Sequence, residues 1–185
     1  MFTADGDPSD DDPREHGPRA ADERTTLVES LRRQRLTLEL KCADLDAAAM
    51  AQRSVPPSTM SLLGLVRHLA EMERGTFRAL LAGQDVPRLY CTPADPDGDF
   101  NGAVGDSVVV AEAWAAWRSE VDFATHFVAS APTLDLAADD PDNHHGGGGA
   151  PLSLRDLLLN TIEEYARHMG HADLLRERID GRLGQ

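Results

Sequence analysis

The sequence contains little cysteine, no long apolar segment and few positive charges. Its two cysteines, Cys42 and Cys91, form no CxxC pair, so we expect two free thiols rather than a disulfide framework. No apolar run reaches the roughly 20 residues that a membrane span requires. Residues 1–5 lack the basic and apolar regions of a secretory signal. These absences predict a cytoplasmic protein.

Acidic residues greatly outnumber basic ones. The chain has 32 Asp and Glu against 18 Lys and Arg, which gives a formal net charge of −14. Nucleic acids bind basic stripes and anionic membranes attract basic segments, so we expect neither as a partner.

The length of 185 residues fits one domain, and such a domain needs no disulfide or metal simply to fold.

The N-terminal segment differs in composition from the rest of the chain. Residues 1–22 combine seven acidic residues with three prolines and offer little apolar surface. Such a segment cannot offset the entropy of ordering, so we predict an acidic disordered tail over 1–22. We predict that the folded domain occupies 23–181 and that His16, within the tail, has no role.

Apolar residues recur with helical spacing in four stretches of the domain. The first predicted helix runs from Glu23 to about Ala48. The second begins near Ser58, Thr59 or Ser61 and ends at Ala82 and Gly83; the third spans about 107–130 after Asp106; the fourth runs from Ser153 to about Asp180, with Gly181 beyond its end. No stretch shows strand alternation. The pattern predicts an all-α fold, a four-helix bundle.

Two connections between these helices are unusually long. The first long loop, residues 84–106, and the second long loop, residues 131–151, are rich in proline, glycine and acidic residues. Loops of this length tend to be functional or mobile. The acidic run at 95–99 resembles a calcium loop but lacks its closing glutamate, so we assign no calcium site. His144 and His145 lie in a glycine run that is costly to order, and we expect no metal site there.

The fourth helix places polar residues on its inward side. His168 lies on the apolar stripe, Glu164 precedes it by four residues and His171 follows it by three. Side chains at these spacings meet on one helix face. Because buried polar groups cost free energy unless they are paired, a divalent metal would explain a carboxylate and two imidazoles at this place.

The second helix supplies another histidine at the edge of its apolar face. His68 lies three residues after Leu65 and four before Met72. The alternative is that each histidine is merely hydrogen-bonded inside the protein, but together they favour a site for Zn²⁺, with Ni²⁺, Fe²⁺ and Mn²⁺ also compatible. The neighbours of His68 at other helical angles, Arg67, Glu71, Glu73 and Arg74, are expected to form a solvated flank, and His126 of the third helix is expected at the surface.

Two motifs carry a resemblance to a known family. Residues 67–73 read Arg-His-Leu-Ala-Glu-Met-Glu, and residues 163–177 read Glu-Glu-Tyr-Ala-Arg-His-Met-Gly-His-Ala-Asp-Leu-Leu-Arg-Glu. Both resemble the DinB superfamily, and more closely its actinobacterial branch near mycothiol-dependent maleylpyruvate isomerase. The resemblance covers about residues 23–181.

The resemblance implies a specific ligand set. In that branch a histidine of the second helix and a Glu–His pair spaced i, i+4 on the last helix hold the metal, which corresponds here to His68, Glu164 and His168. His171 is secondary: a fourth ligand, a partner of a ligand or a substrate contact. The family fold is a four-helix bundle that is often paired into a homodimer.

The resemblance also implies a reaction class. A thiol whose ordinary pKa is about 8.5 ionises well below neutrality beside a divalent metal, and its thiolate attacks an electrophilic carbon. We therefore expect a small-molecule thiol resembling mycothiol and an electrophilic substrate, joined by S-transfer or thiol-assisted isomerisation. The alternatives are a metal-dependent hydrolase, for which Glu71 is a weak candidate base, and a non-catalytic metal-binding or stress-response scaffold paired through its first helix.

Overall fold

The four long helices of this computed structural model form a bundle, and it describes residues 12–18, 21–140 and 150–184. In chain order the helices are α1 (Glu23–Cys42), α2 (Ala47–Ala51), α3 (Leu62–Glu73), α4 (Gly98–Asn101), α5 (Ser107–Ser130) and α6 (Leu154–Asp180). Helix α1 packs along α6, α3 packs along α5, and contacts between α3 and α6 join the two pairs. The all-α bundle with long connecting loops is therefore confirmed.

The ends of the long helices follow the predicted capping residues. The Ser61 hydroxyl accepts the first-turn N–H of Gly64 at the start of α3. Asp106 caps α5 in the same way. Ser153 and Asp156 form a reciprocal capping box at the start of α6, which ends at Gly181 with φ of 77°. Glycine adopts this left-handed conformation without a steric penalty, so the helix stops where the sequence indicates.

The first helix is shorter than the sequence indicated. It ends at Cys42 rather than near Ala48, because Asp44 adopts a left-handed conformation with φ of 62°. The carboxylate of Asp46 then accepts the N–H of Ala49 and starts the separate helix α2. The amphipathic spacing continues across this break, which is why it did not reveal the break.

The second predicted helix is continuous to its expected end but changes its hydrogen bonding. After α3 the chain forms a π-helical segment, Arg74–Leu81, and Gly83 terminates it with φ of 62°. Short π-helical pieces are often found at functional sites.

A small pairing of extended segments corrects the expectation that no strand would occur. Strand β1 (Ala137–Ala138) pairs antiparallel with β2 (Leu152–Ser153) and closes the second long loop at its base. His144 and His145 lie outside the described residues. Within the described residues no helix has the length and apolarity needed to cross a bilayer. Both cysteines, Cys42 and Cys91, are buried and free of disulfide bonds.

Part of the predicted tail lies against the bundle. Residues Pro13–His16 form one 3₁₀ turn, and the carbonyl of Pro13 accepts a hydrogen bond from Arg32 of α1 at 3.1 Å. Residues 1–11 and 19–20 lie outside the described residues. The division into a disordered tail and a domain starting at 23 stays a prediction.

A hydrogen-bonded chain of four side chains crosses the bundle core. Glu73, expected on a solvated flank, is fully buried and accepts two hydrogen bonds from Arg35, both at 2.8 Å. The hydroxyl of Tyr165 donates to Glu73 at 2.9 Å and accepts from the indole N–H of Trp117 at 2.8 Å. The four residues come from α1, α3, α5 and α6, so this polar chain connects all four long helices.

Replacing Glu73 by Ala should destabilise the fold strongly. The change leaves the guanidinium of Arg35, only 11% exposed, without its carboxylate. Removing one partner of a buried ion pair costs roughly 3–5 kcal/mol. Urea unfolding followed by circular dichroism measures the difference in free energy of unfolding.

A surface ion pair between the same residue types provides the control. Glu39 and Arg118 lie 3.8 Å apart with side chains 40% and 60% exposed, so Glu39→Ala should cost under about 1 kcal/mol. Equal losses in the two variants would contradict a role for Glu73 as a buried connector. If Glu73→Ala does not fold, Tyr165→Phe should still fold and lose roughly 1–3 kcal/mol by leaving Trp117 unsatisfied.

Candidate metal centre

Three of the residues singled out in the sequence meet between α3 and α6. The Nε2 atom of His168 lies 3.7 Å from Oε1 of Glu164, and Nε2 of His68 lies 3.9 Å from the same oxygen. The three donor atoms all lie within 4.8 Å of one another. Two donors at about 2.0–2.2 Å from a tetrahedral ion are roughly 3.3–3.6 Å apart, so small side-chain movements would bring all three onto one cation.

The donor atoms fit a divalent cation in chemistry as well as in distance. Nε2 of His68 is buried and has no hydrogen-bond partner among the described residues. An unsatisfied buried polar atom costs roughly 1–3 kcal/mol, and a cation at the point where the donors converge removes that cost. The other oxygen of Glu164, Oε2, pairs with Arg167, which leaves Oε1 directed toward the two histidines.

His168 is held in its neutral form. Its side chain lies in the core, and burial, followed by the adjacent His68 and His171, lowers the pKa of His168 to about 3. A neutral imidazole has a lone pair available for a metal, whereas a protonated one has none. Because His168 lies on the apolar stripe of α6, its ring keeps a lone pair for a metal at neutral pH.

His171 is close to the cluster but does not point a donor atom into it. Its Nδ1 lies 3.3 Å from Nδ1 of His168, on the side of that ring away from Glu164. The convergent donors are those of His68, Glu164 and His168 only, among the residues described. His171 therefore contacts a member of the cluster rather than its centre.

Asp99, from the first long loop, is a site residue that the sequence did not reveal. Its carboxylate is buried, and Oδ2 lies 2.8 Å from Nδ1 of His68. Burial acts to raise the pKa of Asp99, but hydrogen bonds from His68 and from the N–H of Phe100 outweigh it, so the pKa is lowered overall. The only signal was the acidic run at 95–99, and nothing in that run distinguishes Asp99 from its neighbours.

Arg67, immediately before His68, holds Asp99 in position. Its guanidinium donates to the carbonyls of Asp99 at 2.7 Å and Gly98 at 3.0 Å, and it lies 3.9 Å from the centre of the Tyr90 ring. The expectation of a solvated flank is wrong for this residue. The helix that carries His68 also anchors the loop that contacts His68.

Glu71 fastens an earlier part of the same loop. Its carboxylate accepts the backbone N–H groups of Leu89 at 3.2 Å, Tyr90 at 2.7 Å and Cys91 at 3.3 Å. A carboxylate that binds three backbone amides has a structural role. The expected position of Glu71 on a solvated flank is thus corrected, and its role as a base stays a prediction.

Arg74 also turns inward from the supposed flank. It donates to the carboxylate of the buried Glu120 on α5 at 2.8 Å and to the carbonyl of Pro87 at 2.7 Å. The π-helical segment is thereby tied to both α5 and the first long loop. His126 agrees with its expectation: it is exposed on α5 and bonds to the carbonyl of Asp122.

A cleft of about 980 Å³ opens beside the cluster. His68 and Glu164 line it, together with Met72 of α3 and Thr76 and Gly75 of the π-helical segment. The two long loops contribute to its wall through residues 86–88, 91, 96–97, 99–100 and 140. His68 and Glu164 therefore face a space that small molecules can enter, bordered by the two loops that the sequence predicts to be functional or mobile.

Comparison with known proteins identifies the family of this chain. No curated protein and no solved structure matches the chain. A family model does match: MST, Mycothiol-S-transferase, over residues 26–181, which includes all three clustered residues. This confirms the resemblance to a DinB-like family of mycothiol-related proteins. A match over most of the chain shows that this protein belongs to the mycothiol S-transferase family.

Proposed function

We propose that this protein is a metal-dependent thiol transferase that uses mycothiol. In this proposal His68, Glu164 and His168 hold one divalent cation, and the adjacent cleft admits the thiol and an electrophilic substrate. The observation that carries the proposal is the convergence of three donor atoms within 4.8 Å, two of them from residues that line that cleft, His68 and Glu164. The family match over 26–181 is the reason for proposing mycothiol as the thiol.

Zinc is the cation that the donor set favours. Two imidazole nitrogens and one carboxylate oxygen are typical zinc ligands, although nickel, iron and manganese accept the same donors. Three protein ligands with further positions open to the cleft are the pattern of a catalytic site. A closed site built from thiolates is disfavoured, because Cys42 and Cys91 are absent from the cluster.

The chain's own residues prepare the site for thiol chemistry. A divalent cation, when bound, stabilises the thiolate form of a thiol near neutral pH. His68 and Glu164 line the cleft, so a cation that they and His168 hold would be within reach of a thiol in it. The Phe100 ring stacks on His68, with ring centres 5.5 Å apart, and limits the access of water on that side.

The transfer step consumes only the two substrates and needs no oxidant or reductant. The thiolate sulfur forms a bond to the electrophilic carbon of the substrate, and the electron pair of the broken bond leaves with the departing group or moves onto the substrate. The thiol proton passes to solvent water in the open cleft when the thiolate forms. A cleft of about 980 Å³ has room for both molecules, and the glycine at position 75 leaves open space at its wall.

The remaining alternatives have less support. A hydrolase would use the same donors, but the family match favours a thiol as the reactant. A non-catalytic scaffold has no need of a cleft that reaches the donor cluster. The homodimer and the cytoplasmic location expected from the sequence stay predictions.

Replacing His168 by Ala should abolish stoichiometric zinc binding. The change removes one of three donors, and the remaining two cannot surround the ion. Elemental analysis after dialysis should give about one zinc per wild-type chain and almost none per His168→Ala chain.

The matched control is His126→Ala, which removes an exposed histidine of α5 outside the cluster. It should retain the zinc content of the wild type. Unchanged zinc in His168→Ala, or equal loss in both variants, would contradict the ligand assignment.

Mycothiol should stabilise the zinc-loaded protein and leave the chelated protein unaffected. A ligand that binds only the folded state adds free energy of unfolding, about 2.7 kcal/mol at 100 times its dissociation constant. Differential scanning fluorimetry with increasing mycothiol measures the shift in Tm. The same shift in the chelated protein or in His168→Ala would show that the thiol binds elsewhere, and no shift in any form would reject the thiol.

A further inference from the structure

Each histidine of the cluster has a partner at the ring nitrogen that faces away from the centre. Asp99 lies 2.8 Å from Nδ1 of His68, and His171 lies 3.3 Å from Nδ1 of His168. In both rings the other nitrogen, Nε2, is the one near Glu164. Both contacts are at Nδ1, but Asp99 offers a carboxylate and His171 offers an imidazole.

We propose that Asp99 is a positioning residue that fixes the tautomer of His68, so that the lone pair of Nε2 points at the metal position before any metal arrives. This inference rests on the proposed function, because it concerns the same site. It assigns a role to the first long loop that neither the family match nor the ligand set contains.

The argument begins with the hydrogen-bonding capacity of the two groups. A neutral imidazole carries one N–H and one lone pair, and an ionised carboxylate can only accept. With Asp99 at 2.8 Å, the proton of His68 must be on Nδ1. The lone pair is then on Nε2, the buried atom that has no partner among the described residues.

The carboxylate of Asp99 is itself held in one orientation. Its Oδ1 accepts the N–H of Phe100 at 2.9 Å, which leaves Oδ2 for His68. Arg67 binds the backbone carbonyl of the same residue at 2.7 Å. Asp99 is also 4% exposed, so water does not compete for its oxygen atoms. The hydrogen bond to His68 is therefore preformed.

His171 provides a contrast within the same site. An imidazole accepts as readily as it donates, so the contact between His171 and His168 permits either tautomer of His168. Asp99 permits only one tautomer of His68. Asp99 therefore fixes the tautomer of His68, whereas His171 does not fix the tautomer of His168.

Replacing Asp99 by Asn should reverse the tautomer of His68 with little change in shape. The amide oxygen must remain at the N–H of Phe100, since an amide nitrogen there would place two donors together. The amide NH₂ then donates to Nδ1 of His68 and moves the ring proton to Nε2. Partners of metal-bound histidines contribute about 10–100-fold to metal affinity, so we expect a loss of that size.

Two measurements test this, one of them without metal. Long-range ¹H–¹⁵N NMR of the metal-free protein at about pH 8 reports the tautomer of a neutral ring. It should show Nδ1–H for His68 in the wild type and Nε2–H in Asp99→Asn. Competition with a chelator of known affinity then gives the zinc dissociation constant, which should rise about 10–100-fold in the variant.

Asp97→Asn is the matched control. Asp97 lies in the same loop and lines the same cleft, so its replacement removes the same charge without a contact to His68. Its zinc affinity should stay within about threefold of the wild type, because an exposed charge is screened.

The outcomes separate this inference from the proposed function. Nε2–H on His68 in the metal-free wild type overturns the inference without any variant, so it remains testable even if Asp99→Asn does not fold. A reversed tautomer with unchanged zinc affinity, or equal losses in both variants, also overturns it. If the tautomers are as expected but the wild type binds no zinc, the tautomer assignment stands and the proposed metal function fails.

Discussion

The hydrogen-bonded chain from Arg35 through Glu73 and Tyr165 to Trp117 is the interaction on which the rest of the structure depends. Its members come from all four long helices, and each is hydrogen-bonded to the next member of the chain. A buried polar chain of this kind disfavours other arrangements, because a slip between helices leaves charged or polar atoms unpaired. The same chain of hydrogen bonds also positions the candidate site. Glu73 is on the helix of His68 and Tyr165 is next to Glu164, so the hydrogen bond between Glu73 and Tyr165 holds the two halves of the donor cluster in register.

A second set of contacts joins the first long loop to the same helix. Arg67 and Glu71 flank His68 and bind backbone groups of that loop, which brings Asp99 to the ring of His68. Helix α3 therefore carries His68, anchors the loop that contains Asp99 and lines the cleft. The chain belongs to the mycothiol S-transferase family, and the proposed transfer needs an accessible site whose donors are already oriented.

The sequence predicted the features that depend on local spacing. Capping residues and apolar periodicity are local, so the long helices and most of their ends were correct, and the i, i+4 spacing of Glu164 and His168 placed both on one face. The features that were missed depend on distant contacts. Asp99 contacts a histidine 31 positions away. Helical angle alone predicts Glu73 at the surface, because it does not reveal a buried arginine on another helix.

X-ray absorption spectroscopy of the zinc-loaded protein at the zinc K-edge tests the central claim most directly. The arrangement of His68, Glu164 and His168 predicts nitrogen and oxygen scatterers at about 2.0–2.1 Å with the outer-shell pattern of two imidazoles, and no sulfur. Addition of mycothiol should introduce one sulfur at about 2.3 Å. Sulfur scattering before the thiol is added, or a spectrum without two imidazoles, would contradict the account.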